Sequence, residues 1–434
     1  MMSTLLNRRS LLTLTAGAVA GTMAACGGSS GGGGNSGGGS GSGGTGRTVR
    51  VWFMEGSISD AAIAHLKEGF AAKSPGNTLE VEIQPWEGVM SKLQTGLASA
   101  TESPDLVETG NTQSSTFTSV GAFAPVDDLY EELGGSKLIP SFVDAGSWEG
   151  VKYALPLYAG SRGIYYRKDL FDMAGITQPT TLDEFADSVI KLNQTNPEGT
   201  ADFSALYLAA GDEHSVTSLW FAGGGEWATK EGDKWVQQVS SQQSIVSLKR
   251  IKRLFTDATK YAVASQASQQ SFDKFFNEGK VAVLLGTGNI TGKIDQALWD
   301  AGKVAVMPIP GLKAGEVGQT FAGGSTIAIP KNAQHPDLAK EALKVIFAPE
   351  FQKMIAADGW VPGNTTYGNE IPGAFGEISA VVAEHSKLTP NTPQWGVAEG
   401  QNLIVNFWTE LAQSDDVEAV ATKYGKQVED ALNS

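Results

Sequence analysis

The sequence predicts an α/β fold of two domains, and two observations support this prediction. Beyond residue 46 the chain alternates short strand patterns with amphipathic helix patterns, which is typical of a parallel sheet with helices on its faces. About 390 residues follow that point, and one compact core rarely accommodates so many. A second domain is therefore expected.

The alternation is clearest at the start of this region. Apolar residues occupy every second position at 49–53 and 79–83, as in strands, and have helical spacing at 59–73 and 89–99, while residues 104–107 predict a third strand. Ligands of such sheets bind where the strands end. Glu55, Trp86 and Asn111 follow the three strands and are therefore predicted to contact a ligand, although Trp86 could instead pack in the core.

The rest of the chain also contains both helix and strand patterns. Residues 170–291 are predicted to be mostly helical, and further strands are predicted at 281–285, 303–307 and 326–329. A helix at 338–347 precedes a helical C-terminal region. We find no internal repeat of solenoid period.

The N-terminus has the pattern of an export signal. Arg8 and Arg9 are the only charged residues among the first 25, and residues 11–25 are uncharged and mostly apolar or small. That apolar stretch is too short for a permanent membrane helix. The paired arginines partly resemble a twin-arginine signal, so the sequence leaves the general secretory and twin-arginine routes open.

The signal ends in a sequence that resembles a bacterial lipobox. Met23, Ala24 and Ala25 precede Cys26, the single cysteine of the chain. Small residues fit a peptidase groove, and the thiol can take a diacylglycerol; the alternative is an unmodified cysteine near an ordinary cleavage site. Residues 26–46 are rich in Gly and Ser and cannot form a core, so we predict a flexible tether after a signal peptide of residues 1–25.

Composition excludes several classes of partner and cofactor. The formal net charge is −15, and becomes −17 without Arg8 and Arg9, which argues against nucleic acid or an anionic lipid surface as a partner. One cysteine allows no intramolecular disulfide. With only four histidines besides, a His/Cys metal cluster is not expected, and we predict no cofactor.

Five segments, taken in order, resemble the bacterial extracellular solute-binding protein family that includes the maltodextrin-binding protein. They are Ser103–Val107, Gly121–Leu129, Lys152–Pro156, Gly163–Phe171 and Phe275–Val283. The third and fourth together resemble the family stretch Y-x-x-P followed by L-x-Y-N-K-D-L-F, which is the most specific match. The segments are spread over most of the mature chain; one departure is an arginine at 167, where the family often has Asn.

The resemblance implies a periplasmic-binding-protein fold of cluster D-like type II, with two α/β lobes that close on ligand about a hinge. One lobe would contain residues 47–158 and 305–347, and the other would contain residues 159–304 and 348–434. The implied function is an extracytoplasmic lipoprotein, monomeric and without enzymatic activity. It would bind a carbohydrate and deliver it to the permease of an ABC importer.

The resemblance also adds ligand-binding candidates. The glycines around Gly324 would let the backbone approach a ligand closely or form a tight turn, and Trp360 could line the rim. Trp395 could stack on a sugar or pack in the core, while Arg162 could donate to hydroxyls or brace the hinge. The full predicted set is Glu55, Trp86, Asn111, Ser161, Arg162, Asp212, Asn289, Gly324 and Trp395.

Two other functions remain open at this stage. An exported glycoside hydrolase would need two facing carboxyls, and 47 acidic residues allow such a pair, but no acid lies in a motif of that chemistry. The same fold could instead bind a polyamine or a glycerophosphodiester. A phosphate ligand usually recruits several basic residues, and the predicted cleft loops contain few.

Overall fold

The computed structural model describes residues 46–86, 88–263 and 272–434. The predicted signal peptide, the lipidation site at Cys26 and nearly all of the tether lie outside the described residues. The described residues fall within one compact unit. None of the helices they form is both long and apolar enough to cross a membrane.

Strands and helices alternate along the described chain as predicted. The strands are β1 Thr48–Met54, β2 Thr78–Gln84, β3 Leu106–Gly110, β4 Ser147–Trp148, β5 Val151–Lys152, β6 Ala154–Ser161, β7 Gly163–Arg167, β8 Ser204–Tyr207, β9 Ala228–Glu231, β10 Lys234–Gln237, β11 Val281–Gly286, β12 Val304–Met307, β13 Thr320–Ala328, β14 Val361–Pro362 and β15 Ser386–Lys387.

The described helices vary from single turns to four turns. They are α1 Asp60–Lys73, α2 Val89–Ala98, α3 Asn111–Thr118, α4 Asp127–Tyr130, α5 Pro140–Ala145, α6 Lys168–Met173, α7 Leu182–Thr195, α8 Glu213–Ala222, α9 Gln242–Asp257, α10 Phe272–Asn277, α11 Gln296–Asp300, α12 Pro336–Ile346, α13 Pro349–Ala357, α14 Ala374–Glu384, α15 Trp395–Gly400, α16 Leu403–Gln413 and α17 Val417–Leu432. Short 3-10 helices cover Gly135–Lys137, Gly288–Lys293 and Thr365–Glu370.

Two sheets organise these elements. The larger sheet has the strand order β14-β6-β13-β3-β1-β2, and β15 also pairs with β13. In it β1 is parallel to both β2 and β3, which confirms the predicted parallel start. Strand β13 is antiparallel to β3 and β6, so the sheet is mixed rather than wholly parallel. The smaller sheet has the order β12-β7-β11-β8.

The two largest hydrophobic clusters each pack mainly against one of these sheets. Phe53 of the larger sheet lies in one cluster with Phe70 of α1 and Leu343 of α12. In the smaller sheet, Val283 clusters with Val189 of α7 and further side chains of α9 and α16. Burial of these apolar faces drives the packing of helices onto both sheets.

Along the described strands, the chain passes from one of these two sheets to the other twice. Strand β6 ends at Ser161 in the larger sheet and β7 begins at Gly163 in the smaller one. Residues Val304–Met307 pair with β7 in the smaller sheet. The next passage therefore lies between Met307 and Thr320, later than the predicted boundary at 304/305.

Candidate ligand-binding cleft

The structure has a cleft of about 660 Å³. The loops that follow β1, β2 and β3 line one side of it, and residues packed around the smaller sheet line the other side. This is the edge at which parallel strands present their carboxyl ends. The cleft is lined by Glu55, Gly56, Ser57, Trp86, Gly110, Asn111, Thr112, Gln113, Tyr158, Gly160, Arg162, Glu213, His214, Thr287, Phe321, Gly323, Gly324, Trp360, Glu399, Asn402, Ile404 and Val405.

Aromatic side chains line both sides of this cleft. The Trp86 side chain is exposed, and its indole nitrogen donates to the Glu55 carbonyl oxygen at 3.1 Å. Trp360 is half-buried and packs on Tyr158 with 4.9 Å between ring centroids. Phe321 stacks on His214 at 4.7 Å. These rings offer flat apolar surfaces to a ligand.

The Tyr158 hydroxyl is held by a buried network. It donates to Glu108 Oε1 at 3.1 Å, accepts from Ser325 Oγ at 3.2 Å and lies 2.8 Å from Ser57 Oγ. The other Glu108 oxygen accepts from the Met54 backbone nitrogen at 2.8 Å. Burial raises the pKa of the Glu108 carboxyl above its usual range. The network ties β1, β3, β6 and β13 together and fixes the Tyr158 ring.

An arginine–histidine pair lies on the other side of the cleft, formed by Arg162 between β6 and β7 and by His214 near the start of α8. Arg162 Nη2 donates to His214 Nδ1 at 3.3 Å. Burial, and then the nearby charge of Arg162, lowers the pKa of His214 to about 3, so this imidazole is neutral at pH 7. Since guanidinium can only donate, Nδ1 accepts and the ring proton lies on Nε2.

Two carboxyls line the cleft beside this pair. Burial, followed by the negative charges of Glu399 and Asp212, raises the pKa of Glu213 to about 7, against the opposing charge of Arg162. Burial also raises the pKa of Glu399, whose Oε1 accepts from the Trp395 indole at 2.8 Å. Near neutral pH, Glu213 can therefore either donate or accept a hydrogen bond from a ligand hydroxyl.

Gly324 lies in the cleft wall, and the close backbone approach seen there is to strand β6. Gly324 has φ of 143°, and a Cβ built there would lie 2.4 Å from the Tyr158 carbonyl oxygen. Strand β13 can therefore pair closely with β6 only if this residue is glycine. Any other residue would place its Cβ against this carbonyl oxygen and would be strained at this positive φ.

Five of the nine predicted contact residues line the cleft: Glu55, Trp86, Asn111, Arg162 and Gly324. Asn111 is mostly buried, and its side-chain nitrogen donates to the Ala322 carbonyl oxygen at 3.3 Å. Its amide oxygen remains the group that could face a ligand.

The structure places the other four predicted residues elsewhere. Ser161 is fully buried with its hydroxyl 2.9 Å from Ser386 Oγ. Asp212 caps α8 by accepting from the Ser215 backbone nitrogen and lines a neighbouring pocket rather than the cleft itself. Asn289 lines a separate pocket. Their neighbours Arg162, Glu213 and Thr287 lie in the cleft instead.

Trp395 is not a cleft platform in this structure. Its side chain is only 1% exposed and packs 5.5 Å from Trp227, within an aromatic core that includes Trp408. A ring without accessible surface cannot stack on a ligand. The geometry therefore matches the alternative given above, that Trp395 packs in the core. Trp395 is linked to the cleft by its hydrogen bond to Glu399.

Several residues that line the cleft were not among the candidates predicted from the sequence. Glu399 lies four residues beyond Trp395 on α15, one helical turn away, so the pair could have been considered together. Tyr158 was not among the predicted contact residues and entered only as the end of the predicted lobe segment 47–158. Among the described residues, no group of three or more His, Cys, Asp or Glu side chains is placed to hold a metal ion.

Comparison with known families identifies the fold. The model of the bacterial extracellular solute-binding protein family matches residues 55–353. The chain belongs to this family. The family is one of binding proteins that act outside the cytoplasm, and this member has the corresponding cleft between two sheets.

Relatives of this solute-binding protein extend the comparison. The diacetylchitobiose-binding protein DasA of Streptomyces coelicolor is 29% identical over 433 residues, which cover 96% of each chain. The solved structure of the sugar-binding protein MalE from Xanthomonas citri has a TM-score of 0.77 at 20% identity, and the match covers 89% of this chain and 97% of that one.

A second solved structure agrees with the first. An ABC transporter solute-binding protein from Thermotoga lettingae, bound with α-D-tagatose, has a TM-score of 0.69 at 18% identity, and the match covers 89% of this chain and all of that chain. Similarity at this level of identity establishes the shared fold. The expected two-lobed periplasmic-binding-protein fold is therefore confirmed.

Proposed function

We propose that this solute-binding protein captures a carbohydrate, most simply an oligosaccharide, and delivers it to the permease of an ABC importer without chemical turnover. The observation that carries the proposal is the combination of exposed or half-buried Trp86 and Trp360 with polar groups in one cleft. The names of the relatives support it, since DasA binds diacetylchitobiose and the Thermotoga protein holds tagatose.

The chemistry of the cleft matches the two surfaces of a sugar ring. Apolar C–H faces pack on aromatic rings, and hydroxyls at the ring edge need donors and acceptors. Trp86, Tyr158 and Trp360 supply the rings, while Arg162 and Glu213 supply charged partners. Asn111 adds an amide, so both kinds of contact can form at once.

We propose that the two halves of the fold act as lobes that close on this ligand. Residues of both halves line the cleft, so a ligand contacts both only when they approach each other. The ligand binds the closed form more tightly than the open form, and its binding therefore shifts the equilibrium towards the closed form. The hinge would include Arg162, between β6 and β7, and the passage between Met307 and Thr320.

The site of action follows from the N-terminal signal and the family. We propose that export removes residues 1–25 and that Cys26 carries a lipid anchor in the outer face of the cell membrane. The Gly/Ser tether would then hold the folded part at a short distance from the permease. The protein would act as a monomer.

A basic ligand such as a polyamine is a second candidate. Glu55, Glu213 and Glu399 line the cleft, whereas Arg162 is the one lysine or arginine among its described lining residues. An acidic, aromatic cleft attracts organic cations. The single arginine also disfavours phosphodiesters, because a phosphate ligand usually recruits several basic residues.

Native mass spectrometry of the protein purified from its own host tests the proposal. We expect a bound neutral mass that fragments as a saccharide and is lost after denaturation. A bound polyamine, or a phosphorylated ligand, would replace the carbohydrate proposal. Incubation with a saccharide that binds should also leave its chain length unchanged, and shortening of the chain would contradict the absence of turnover.

A further inference from the structure

A second pocket, of about 460 Å³, lies on the far side of one wall of the cleft. We name it the Trp299 pocket, lined among others by Asn289, Gly292, Gln296, Trp299 and Asp358. Asn289 was predicted from the sequence to contact a ligand, and the cleft does not include it. Asn289 therefore lines the Trp299 pocket and not the cleft.

Two backbone segments form the wall between the cleft and the Trp299 pocket. Thr287 and Trp360 line the cleft, and their neighbours Gly288 and Gly359 line the pocket. A Cβ built at Gly288 would lie 2.5 Å from the Gly359 carbonyl oxygen. The two backbones are thus in direct contact, and the wall is a single layer thick.

The Trp299 pocket presents an aromatic ring between polar groups. Trp299 is half-buried, and its indole nitrogen donates to the Thr291 carbonyl oxygen at 3.3 Å, which fixes the ring. The Asn289 amide oxygen accepts from Thr287 Oγ1 at 2.6 Å, so its amide N–H groups remain available. The half-buried Asp358 carboxylate has no hydrogen bond or ion pair with any described residue.

We propose that the Trp299 pocket is a second binding site, which takes a single sugar ring or a polyol of similar size. A fixed aromatic face next to a free amide donor and a free carboxylate acceptor is the arrangement that binds a hydroxyl-rich ligand. Asp358 is the one ionisable side chain among the described lining residues. Its negative charge disfavours sugar phosphates and sugar acids.

Indole NMR signals of ¹⁵N-tryptophan-labelled protein test this site. D-glucose, N-acetyl-D-glucosamine and D-mannitol are the probes, and the spectrum of Trp299→Phe assigns the Trp299 signal. We expect at least one probe to shift the Trp299 signal in a saturable way. Asp358→Asn should weaken that binding about tenfold or more, because a hydrogen bond to a charged group is lost.

Two further variants separate direct binding from an effect transmitted through the wall. A side chain at Gly292 meets no atom within 4 Å of its Cβ, so Gly292→Leu should fold normally, fill the pocket and abolish the Trp299 shift. Asp233→Asn changes an exposed acid in the β9–β10 turn and should leave binding unchanged.

Two results would overturn the second site. One is the absence of any Trp299 shift with all three probes. The other is a Trp299 shift that follows the same concentration dependence as the Trp86 signal and persists in Gly292→Leu. Failure of the proposed cleft function is a separate outcome, recognised when oligosaccharides move neither the Trp86 nor the Trp360 signal.

Discussion

At the scale of single residues, accessible surface decides whether a tryptophan recognises ligand or stabilises the fold. Trp86 is 40% exposed and Trp395 is 1% exposed, although both were predicted as platforms. A ring can stack on a sugar only through a face that solvent reaches. The two side chains therefore predict opposite results on mutation.

Trp86→Ala should weaken saccharide binding by about 10- to 150-fold, which corresponds to roughly 1.5–3 kcal/mol of lost apolar contact. Its unfolding free energy should change little, because the side chain is exposed. Trp235→Ala removes a half-buried tryptophan outside the cleft and serves as the control in the same calorimetric titration. Unchanged affinity in Trp86→Ala would exclude it as a platform.

Trp395→Ala should mainly destabilise the protein. Replacement of a buried tryptophan by alanine typically costs about 3–5 kcal/mol of unfolding free energy, which denaturant titration measures. Loss of the indole donor to Glu399 should alter affinity less than Trp86→Ala does. A variant of full stability would contradict the placement of Trp395 in the aromatic core.

Glu213 makes stability depend on pH in a predictable direction. Burial raises its pKa from the usual 4.5 to about 7, so between these values the folded state binds more protons than the unfolded state. The stability contribution of Glu213 therefore falls as pH rises from about 4.5 to 7. His214, with its pKa lowered to about 3 from 6.5, acts in the opposite direction up to about pH 6.5.

Comparison of Glu213→Gln with the parent protein isolates this effect. We expect the variant to gain stability relative to the parent as pH rises from 5 to 8, measured by denaturant unfolding at each pH. Glu68→Gln, an exposed change on α1, controls for the loss of one negative charge. A parent-minus-variant difference that stays constant with pH would show that Glu213 is not protonated in the fold.

The sequence predicted which residues line the cleft where one local rule was enough. Glu55, Trp86 and Asn111 were found because each follows a strand whose end must face the cleft. Tyr158 and Glu399 were not found, because their positions depend on contacts between distant segments. Glu108 binds Tyr158 across 50 residues of sequence, and no local pattern reports that contact.

At the scale of elements, strand β13 shows how the cleft wall is built. It pairs with β3 on one side and β6 on the other, with a register shift between Ser325 and Thr326. Gly324 lies next to this irregularity and touches the backbone of Tyr158 and Ala159. The approach of two backbones at this point leaves no room for a side chain.

Gly324→Ala should lower the unfolding free energy by at least about 2 kcal/mol, because the new Cβ clashes and the backbone is strained. It should also weaken ligand binding by displacing Tyr158. Gly400→Ala is the control, since a Cβ there meets no atom within 4 Å. Equal stability of the two variants, measured by thermal unfolding, would contradict the described pairing of β13.

The elements themselves were largely predictable, whereas their pairing was only partly so. Periodicity gave strands at 49–53 and 79–83 and a helix at 59–73, which correspond to β1, β2 and α1. It could not reveal that β13, more than 200 residues later, enters the first sheet antiparallel to β3. Pairing over such distances depends on the whole fold rather than on local pattern.

At the scale of the whole molecule, the proposed lipid anchor would keep the cleft close to the permease. Capture outside the membrane is useful to an importer only if the protein stays near the permease. Cys26→Ser should therefore shift the protein from the membrane fraction to the medium, measured by immunoblotting of both fractions. Unchanged partitioning would contradict the lipoprotein proposal, since the chain has no other cysteine.

The central claim, that the cleft binds a saccharide, is tested most directly by isothermal titration of the purified protein with a panel of neutral oligosaccharides, with spermidine as the alternative ligand. We predict saturable 1:1 binding of at least one oligosaccharide and none of spermidine. At 100 times the dissociation constant this ligand should add about 2.7 kcal/mol of stability. Binding of spermidine, with no heat from any oligosaccharide, would contradict the account.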